Sequence, residues 1–172
     1  RPAPLPWMRY SETLGETAFR FLFMSVPTMI LLWLVYHPKL LLPATWVHGL
    51  AFMIAFVLAV HIYFAINFLT GLIAVFTLKI QGFLWAKFLI VQLLSGLLVP
   101  LSFIRPGWLR DIVEMSPFAF VAHTPLMIYL GKVTADDLLG KLAWQSFWTL
   151  ALLGLCAWAW SLTVRKVSIQ GG

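Results

Sequence analysis

Four apolar runs constrain this chain more than any motif in it. They cover about residues 18–36, 47–76, 86–104 and 142–164, near or beyond the roughly 20 helical residues that cross a hydrocarbon core of about 30 Å. Lipid offers no hydrogen bonds, so a spanning segment must satisfy its own backbone as a helix or within a closed barrel. None of the runs alternates polar and apolar residues as barrel strands do. The sequence therefore predicts an all-α fold, a polytopic membrane bundle of four transmembrane helices. Pro27 falls in the middle of the first run and predicts a kink there. The second run is longer than a span requires, which predicts tilting or projection beyond the bilayer.

Composition agrees. Of 172 residues, 62% are hydrophobic and only 10% charged, too few polar side chains to cover a water-soluble core. The net charge of +6 is scattered and not interleaved with stacking aromatics, so nucleic acid is not implied as a partner. Cys156 stands alone in an apolar run, which leaves no disulfide framework or cysteine metal site. The charged opening leads into an apolar run longer than a signal-peptide core, without a small-residue cleavage site, so no cleaved signal is read.

Four spans place both termini on one side. That side would carry Arg1, Arg9, Arg20, Lys79, Lys87, Arg165 and Lys166, against Lys39, Arg105, Arg110, Lys132 and Lys141 on the other. The excess of basic residues favours both termini in the cytoplasm. Trp46, Trp85, Trp108, Trp144 and Trp160 fall near predicted span ends, where interfacial aromatics belong.

Two segments are left over. Residues 1–17, "RPAPLPWMRYSETLGET", begin with three prolines. From about Trp7 they read either as an amphipathic helix, with Thr13-x-x-Glu16 as a capping box, or as a disordered terminus. The outer segment 105–141 holds a short helix candidate, "RPGWLRDIVEM", and then "PFAFVAHTPLMIYLG". The latter is too apolar for an ordinary loop and too short for a span.

No HExxH, GxSxG, CxxC or phosphate-cradling GxxxxGK[ST] pattern occurs, and no span carries an acid in its interior. The chain is therefore expected to be no enzyme. His48 and His61 lie thirteen residues apart on one predicted helix, a spacing that could serve stacked haems. No span offers an opposite histidine, because His37 and His123 fall in predicted loops. A packing role for His61 is the simpler reading.

The spans do carry weakly polar stripes at helical spacing. Tyr63, Asn67, Thr70 and Ala74 share one face of the second, and Gln92, Ser95 and Ser102 one face of the third. Gln145, Thr149, Cys156 and Thr163 form a heptad-like line in the fourth, and Ala51, Ala55 and Ala59 make a small-residue ladder. These are either helix-packing contacts or the lining of a pathway, and Asn67, Thr70, Gln92, Ser95, Gln145 and Thr149 are the candidate lining residues. In both cases they point to protein neighbours, since polar groups facing lipid are costly.

The run "SGLLVPLSFIRPGWLRDIVEMSPFAFVAHTPLMIYLG" resembles the signature region of permease subunits of type 2 ABC transporters. The resemblance is carried by Ser95, Gly96, Pro100, Leu101, Pro106, Trp108, Leu109, Pro117-Phe118, Pro125 and Gly131, then Gln145 and Trp148. It is similar to the bacterial branch whose members end in Gly-Gly, as here in Gln170-Gly171-Gly172. At the front, Arg1-Pro2, Gly15 and Arg20 resemble the start of the family's cytoplasmic segment before its third span. One departure is the loop after the long span, where relatives often carry Trp and acidic residues and this chain has Phe76-Thr77-Leu78-Lys79.

The resemblance implies a multi-pass protein of the bacterial cytoplasmic (inner) membrane, of which this chain would be the last two-thirds, preceded by two further spans. Residues 1–17 would hold a coupling segment, with Arg9, Glu12, Gly15 and Glu16 facing a separate ABC ATPase subunit. The transmembrane domain would be residues 18–172. No cofactor would sit on this chain; ATP and Mg would be bound by the partner. A second permease subunit, identical or different, would complete the path, and export is the implied direction. Residues from about 106 to 131 would form a re-entrant helical hairpin at the outer mouth, beginning at Pro117, turning back at Pro125 beside His123 and Thr124, and ending at Gly131. A membrane scaffold remains an alternative, as does, more remotely, a haem-carrying or enzymatic membrane subunit.

Overall fold

The computed structural model describes residues 5–36, 42–75 and 80–170. The Arg1-Pro2 opening, His37, Lys39, the 76–79 loop and the closing Gly171-Gly172 lie outside them. Every regular element among the described residues is helical: α1 (Leu5–Arg20), α2 (Val26–Tyr36), α3 (Trp46–Val75), α4 (Ile80–Leu94), α5 (Gly107–Met115), α6 (His123–Tyr129) and α7 (Ala135–Gln170). Three stretches are long and apolar enough to cross a bilayer: Leu5–Val35, Trp46–Ile73 and Ala135–Val164. The fold is a polytopic membrane helix bundle.

The expected interruption at Pro27 takes a specific form. Proline lacks an N–H and its ring crowds the carbonyl four residues back. Here the helix widens into a π turn over Phe21–Ser25, with the Val26 N–H reaching the Phe21 carbonyl, so α1 and α2 run on as one rod. The helix is continuous across residue 17, where the coupling segment is expected to pass into the transmembrane domain. Thr13 does not cap a start either: it sits inside α1 and returns its hydroxyl to the Arg9 carbonyl at 3.0 Å.

The third predicted span needs a correction. Instead of a helix over 86–104, α4 covers Ile80–Leu94, about 22 Å at 1.5 Å per residue. It ends because Gly96 takes a left-handed conformation, φ 78°, which only glycine adopts without strain. Residues 97–100 then lead into a 3₁₀ turn over Leu101–Phe103.

The core is the seam between α3 and α7, the most extensive helix pairing among the described residues. Buried residues on α3 recur every three or four positions, through Ala51, Ala55, Ala59, Ile62, Ala65, Phe68 and Leu72. The alanine ladder lets neighbours approach closely: Ala51 and Ala55 pack with Ile128, Val133 and Leu138 at one end. At the other end Phe64, Ala65, Phe68 and Leu72 enclose Cys156. Thr45 caps α3, accepting the His48 N–H at 3.3 Å.

The α1–α2 rod lies at the edge. None of its residues from Leu5 to Val35 is buried, so its apolar faces are left for lipid or another subunit.

Candidate functional site

Around the amino-terminal ends of α3 and α7, four short pieces form a compact cap. Helix α5 carries Arg110 and Glu114 one turn apart, joined by an ion pair of 3.3 Å. Leu101, Val113 and Ala119 make a small apolar core beneath it. Pro117-Phe118 leads into a 3₁₀ turn at Ala119–Val121, and α6 follows. The chain bends at Ala122, φ −141° and ψ −47°, and not at Pro125. Pro125 sits in the first turn of α6, where its missing N–H leaves no helical bond unmade. His123, expected in a loop, opens that helix.

Gly131 ends α6 as the sequence suggested, and the structure gives the reason. Its φ is 67°, its N–H bonds the Ile128 carbonyl at 3.0 Å, and the Lys132 N–H bonds the Met127 carbonyl at 3.0 Å. That pair of bonds is a Schellman cap, which requires a left-handed residue at this position. The Ala44 N–H reaches the Tyr129 carbonyl at 3.3 Å, pressing the turn before α3 against Gly131 so closely that a Cβ there would run into the Ala44 side chain.

The cap is tied down by buried polar groups. Gln145 on α7 is fully buried, and its amide donates to the Ala55 carbonyl at 2.8 Å and the Phe120 carbonyl at 3.1 Å. Three elements thus meet at one side chain, while its Oε1 has no hydrogen-bond partner among the described residues. The Phe120 carbonyl lies alongside Ala55, nine residues or about 14 Å along α3 from Trp46. The indoles of Trp144 and Trp148 both donate to the Met115 carbonyl, at 3.0 and 2.8 Å. His48 donates Nε2–H to the Val133 carbonyl at 2.9 Å, and its Nδ1 accepts from the Thr45 hydroxyl at 2.7 Å. That is a structural histidine with both ring nitrogens engaged.

Between the cap and the start of α7 is a half-open cavity of about 380 Å³. Ser102, Arg110, Glu114, His123, Thr124, Lys132 and Lys141 form its polar walls, with Met127 and Val133 beneath. Burial, and then the cations of Lys141, Arg110 and Lys132, hold the pKa of His123 below its ordinary 6.5 against the opposing pull of Glu114. His123 and Thr124, singled out in the sequence, therefore share a wall with three cations that sequence reasoning assigned only to topology. The signal was faint, because Arg110, Lys132 and Lys141 are spread over more than thirty positions.

Most of the candidate pathway residues are hydrogen-bonded within the bundle. Thr149 is buried and bonds the Gln145 carbonyl at 2.9 Å. Thr70 is buried and bonds the Ile66 carbonyl at 2.7 Å, and Ser95 is buried near the Gln92 carbonyl at 3.4 Å. Asn67 accepts from the Lys87 ammonium at 2.6 Å, the polar link between α3 and α4. Gln145, Thr149, Cys156 and Thr163 are all buried on one line of α7. The Ala74 side chain lies outside what is described.

At the opposite end of the rod, Arg9 pairs with Glu12 at 2.8 Å and Arg20 with Glu16 at 3.8 Å, all well exposed. A Cβ on Gly15 would meet nothing within 4 Å, so this face of α1 is open. Its other face is anchored. The Tyr10 hydroxyl donates to His61 Nε2 at 3.0 Å, His61 Nδ1–H donates to the Val57 carbonyl at 2.8 Å, and the Tyr10 ring meets Phe64 edge-on at 5.2 Å. His61 thus carries an interhelix contact.

Long apolar helices, intramembrane polar links between them and a cap folded onto one end define a multi-pass membrane protein. Residues 1–171 match the family model described as ABC-2 family transporter protein. The chain belongs to that family and has the role of its membrane-spanning permease, a class that generally partners with ATPase subunits. Neither the curated proteins nor the solved structures give a match.

Proposed function

We propose that this permease is the passive half of an ATP-driven exporter and is moved by a separate ATPase subunit through α1. The observation that carries this reading is mechanical: α1 and α2 run on through a π turn as one helical rod, and Tyr10 and His61 join the α1 part of that rod to α3. A displacement applied to the open face bearing Arg9, Glu12, Gly15 and Glu16 would reach the α3–α7 seam without crossing a flexible joint. ATP binding then acts as a bias between two arrangements of the bundle, because the closed ATPase favours one of them. The chain does no chemistry; ATP and Mg belong to the partner.

In this reading α4, with residues 95–104 continuing it, provides the fourth crossing, both termini are cytoplasmic, and the cap dips into the outer leaflet of a bacterial inner membrane. The apolar faces of the α1–α2 rod meet lipid or a second permease subunit. The buried polar residues of α7 support packing, while Asn67 and Gln92, both partly exposed, remain the residues best placed to face a path.

The test is co-purification of the full-length protein with the ATPase, followed by ATP hydrolysis measured in lipid. Glu12→Arg together with Glu16→Arg should abolish association without lowering membrane insertion. Unchanged association would remove the coupling role from α1. For topology, a cysteine replacing Asp136 should be labelled from outside the cell and one replacing Ser168 should not.

A further inference from the structure

We propose that the cavity between α5, α6 and the start of α7 is a binding site for a phosphate-bearing anion, carried on an amphipathic molecule. The proposal stands on the cavity itself and does not depend on the direction of transport or on the ATPase.

Arg110, Lys132 and Lys141 come from three different pieces of chain, α5, the turn after Gly131 and the second turn of α7, and line one cavity. Among the described residues the only carboxylate on its walls is Glu114, paired with Arg110, which also lies 3.8 Å from Asp111 beside the cavity. Neither Lys132 nor Lys141 has a carboxylate within 4 Å among the described residues, although Asp136 and Asp137 are close in sequence; Asp137 instead accepts from the Thr134 hydroxyl at 2.7 Å. The walls therefore hold two more cations than carboxylates. Like charges gathered in a concave, partly apolar site focus their field and attract a counter-anion. His123 on the same wall is kept below its ordinary pKa chiefly by burial, with the three cations adding to that against Glu114. The Thr124 hydroxyl on the same wall supplies a neutral hydrogen-bonding group.

Size and surroundings select the class of molecule. About 380 Å³ holds a headgroup and is at the small end of ligand pockets. Helix α5 turns Arg110 and Glu114 towards the cavity, while Trp108, Ile112 and Met115 stand exposed on its opposite face. That arrangement sets α5 between the cavity and the lipid, so a phosphate headgroup can enter the half-open cavity while its hydrocarbon chains stay in the bilayer. A lipid headgroup and a soluble phosphate compound share this recognition chemistry, and the assay must tell them apart.

The experiment measures retention of phosphatidylglycerol and of zwitterionic phosphatidylcholine by the full-length protein in detergent, using native mass spectrometry. Inorganic phosphate binding is measured in parallel by equilibrium dialysis. Lys132→Gln with Lys141→Gln should weaken phosphatidylglycerol binding about 30-fold, on the order of one kilocalorie per lysine, and leave phosphatidylcholine unchanged. Lys132→Arg with Lys141→Arg should restore binding. Lys132→Gln alone, at an exposed turn, should weaken it about 5-fold and serves if the double variant misfolds. Binding of inorganic phosphate alone with the same lysine dependence would identify a soluble anion as the ligand. Equal phosphatidylglycerol retention by the wild type and the glutamine variants, with no lysine-dependent phosphate binding, would overturn the proposal.

Discussion

Replacing Gly131 by alanine charges the protein for two separate faults, and a second substitution can tell them apart. The first fault is conformational: φ is 67°, and an L-residue held in the left-handed region costs about 1–2 kcal/mol. The second is steric, because the new Cβ would collide with that of Ala44. Relieving the collision means parting the α6–α7 turn from the segment before α3. That loosens the Ala44 N–H to Tyr129 carbonyl bond of 3.3 Å, and overpacking of this kind costs about 1–3 kcal/mol. Gly131→Ala should therefore destabilise the fold by about 2–5 kcal/mol. Adding Ala44→Gly removes the collision and leaves the backbone strain. The pair should then show a favourable coupling of about 1–3 kcal/mol in a double-mutant cycle. Unfolding in mixed micelles, followed by circular dichroism on the four proteins, measures each corner. A loss below about 0.5 kcal/mol for Gly131→Ala, the ordinary range of surface changes, would refute the tight turn described for this junction. An absent coupling would refute the contact with Ala44.

Three further outcomes can be checked on the same preparations. Gln145→Leu gives up two hydrogen bonds but also removes the unpartnered Oε1, so it should cost only about 1 kcal/mol, whereas Gln145→Ala adds a cavity and should cost about 2–5 kcal/mol. Because the folded-state pKa of His123 lies below 6.5, the unfolded chain takes up its proton first. Stability should be complete above pH 6.5 and decline as pH falls from 6.5 through the lowered folded value. His123→Gln should remove that part of the decline in pH-dependent melting curves, with Glu114, Lys141, Arg110 and Lys132 unchanged around it. Tyr10→Phe deletes the hydroxyl that bonds His61 but keeps the ring against Phe64. It should lower stability by about 0.6 kcal/mol and, if α1 transmits motion, should uncouple ATP hydrolysis from transport by more than it destabilises. Equal loss of both activities would count against transmission through that contact.

The all-α membrane architecture was legible because it follows from composition and run length alone: apolar runs of this length in lipid leave the backbone one open solution. Gly131 was already marked as the end of the apolar stretch, and the left-handed backbone there, φ 67°, is what makes glycine necessary. The inner ends of elements were not. The third apolar run continues past Leu94 with no loss of hydropathy, and only the backbone at Gly96 ends the helix there. Pro125 looked like a bend because proline breaks helices in their interiors. Its position relative to a helix start was set by the 3₁₀ turn before it, which depends on Gln145 holding the Phe120 carbonyl from another helix.

Run length, composition and helical periodicity are enough to place this protein in a membrane, to make its spans helices, and to turn a polar line on the last one towards protein. Each of those conclusions rests on local periodicity and on the cost of unpaired polar groups in lipid, which need no knowledge of neighbours. Which polar residues share a space emerges from the packing of the helices. Gln145, Thr149 and Cys156 settle into the seam against α3, while Arg110, Lys132 and Lys141, far apart in sequence and unremarkable singly, are brought to one cavity with His123 and Thr124. The physical reason is that charge interactions depend on distance through space, and the distances here are set by the alanine ladder of α3, the cap on Gly131 and the buried amide of Gln145 acting together.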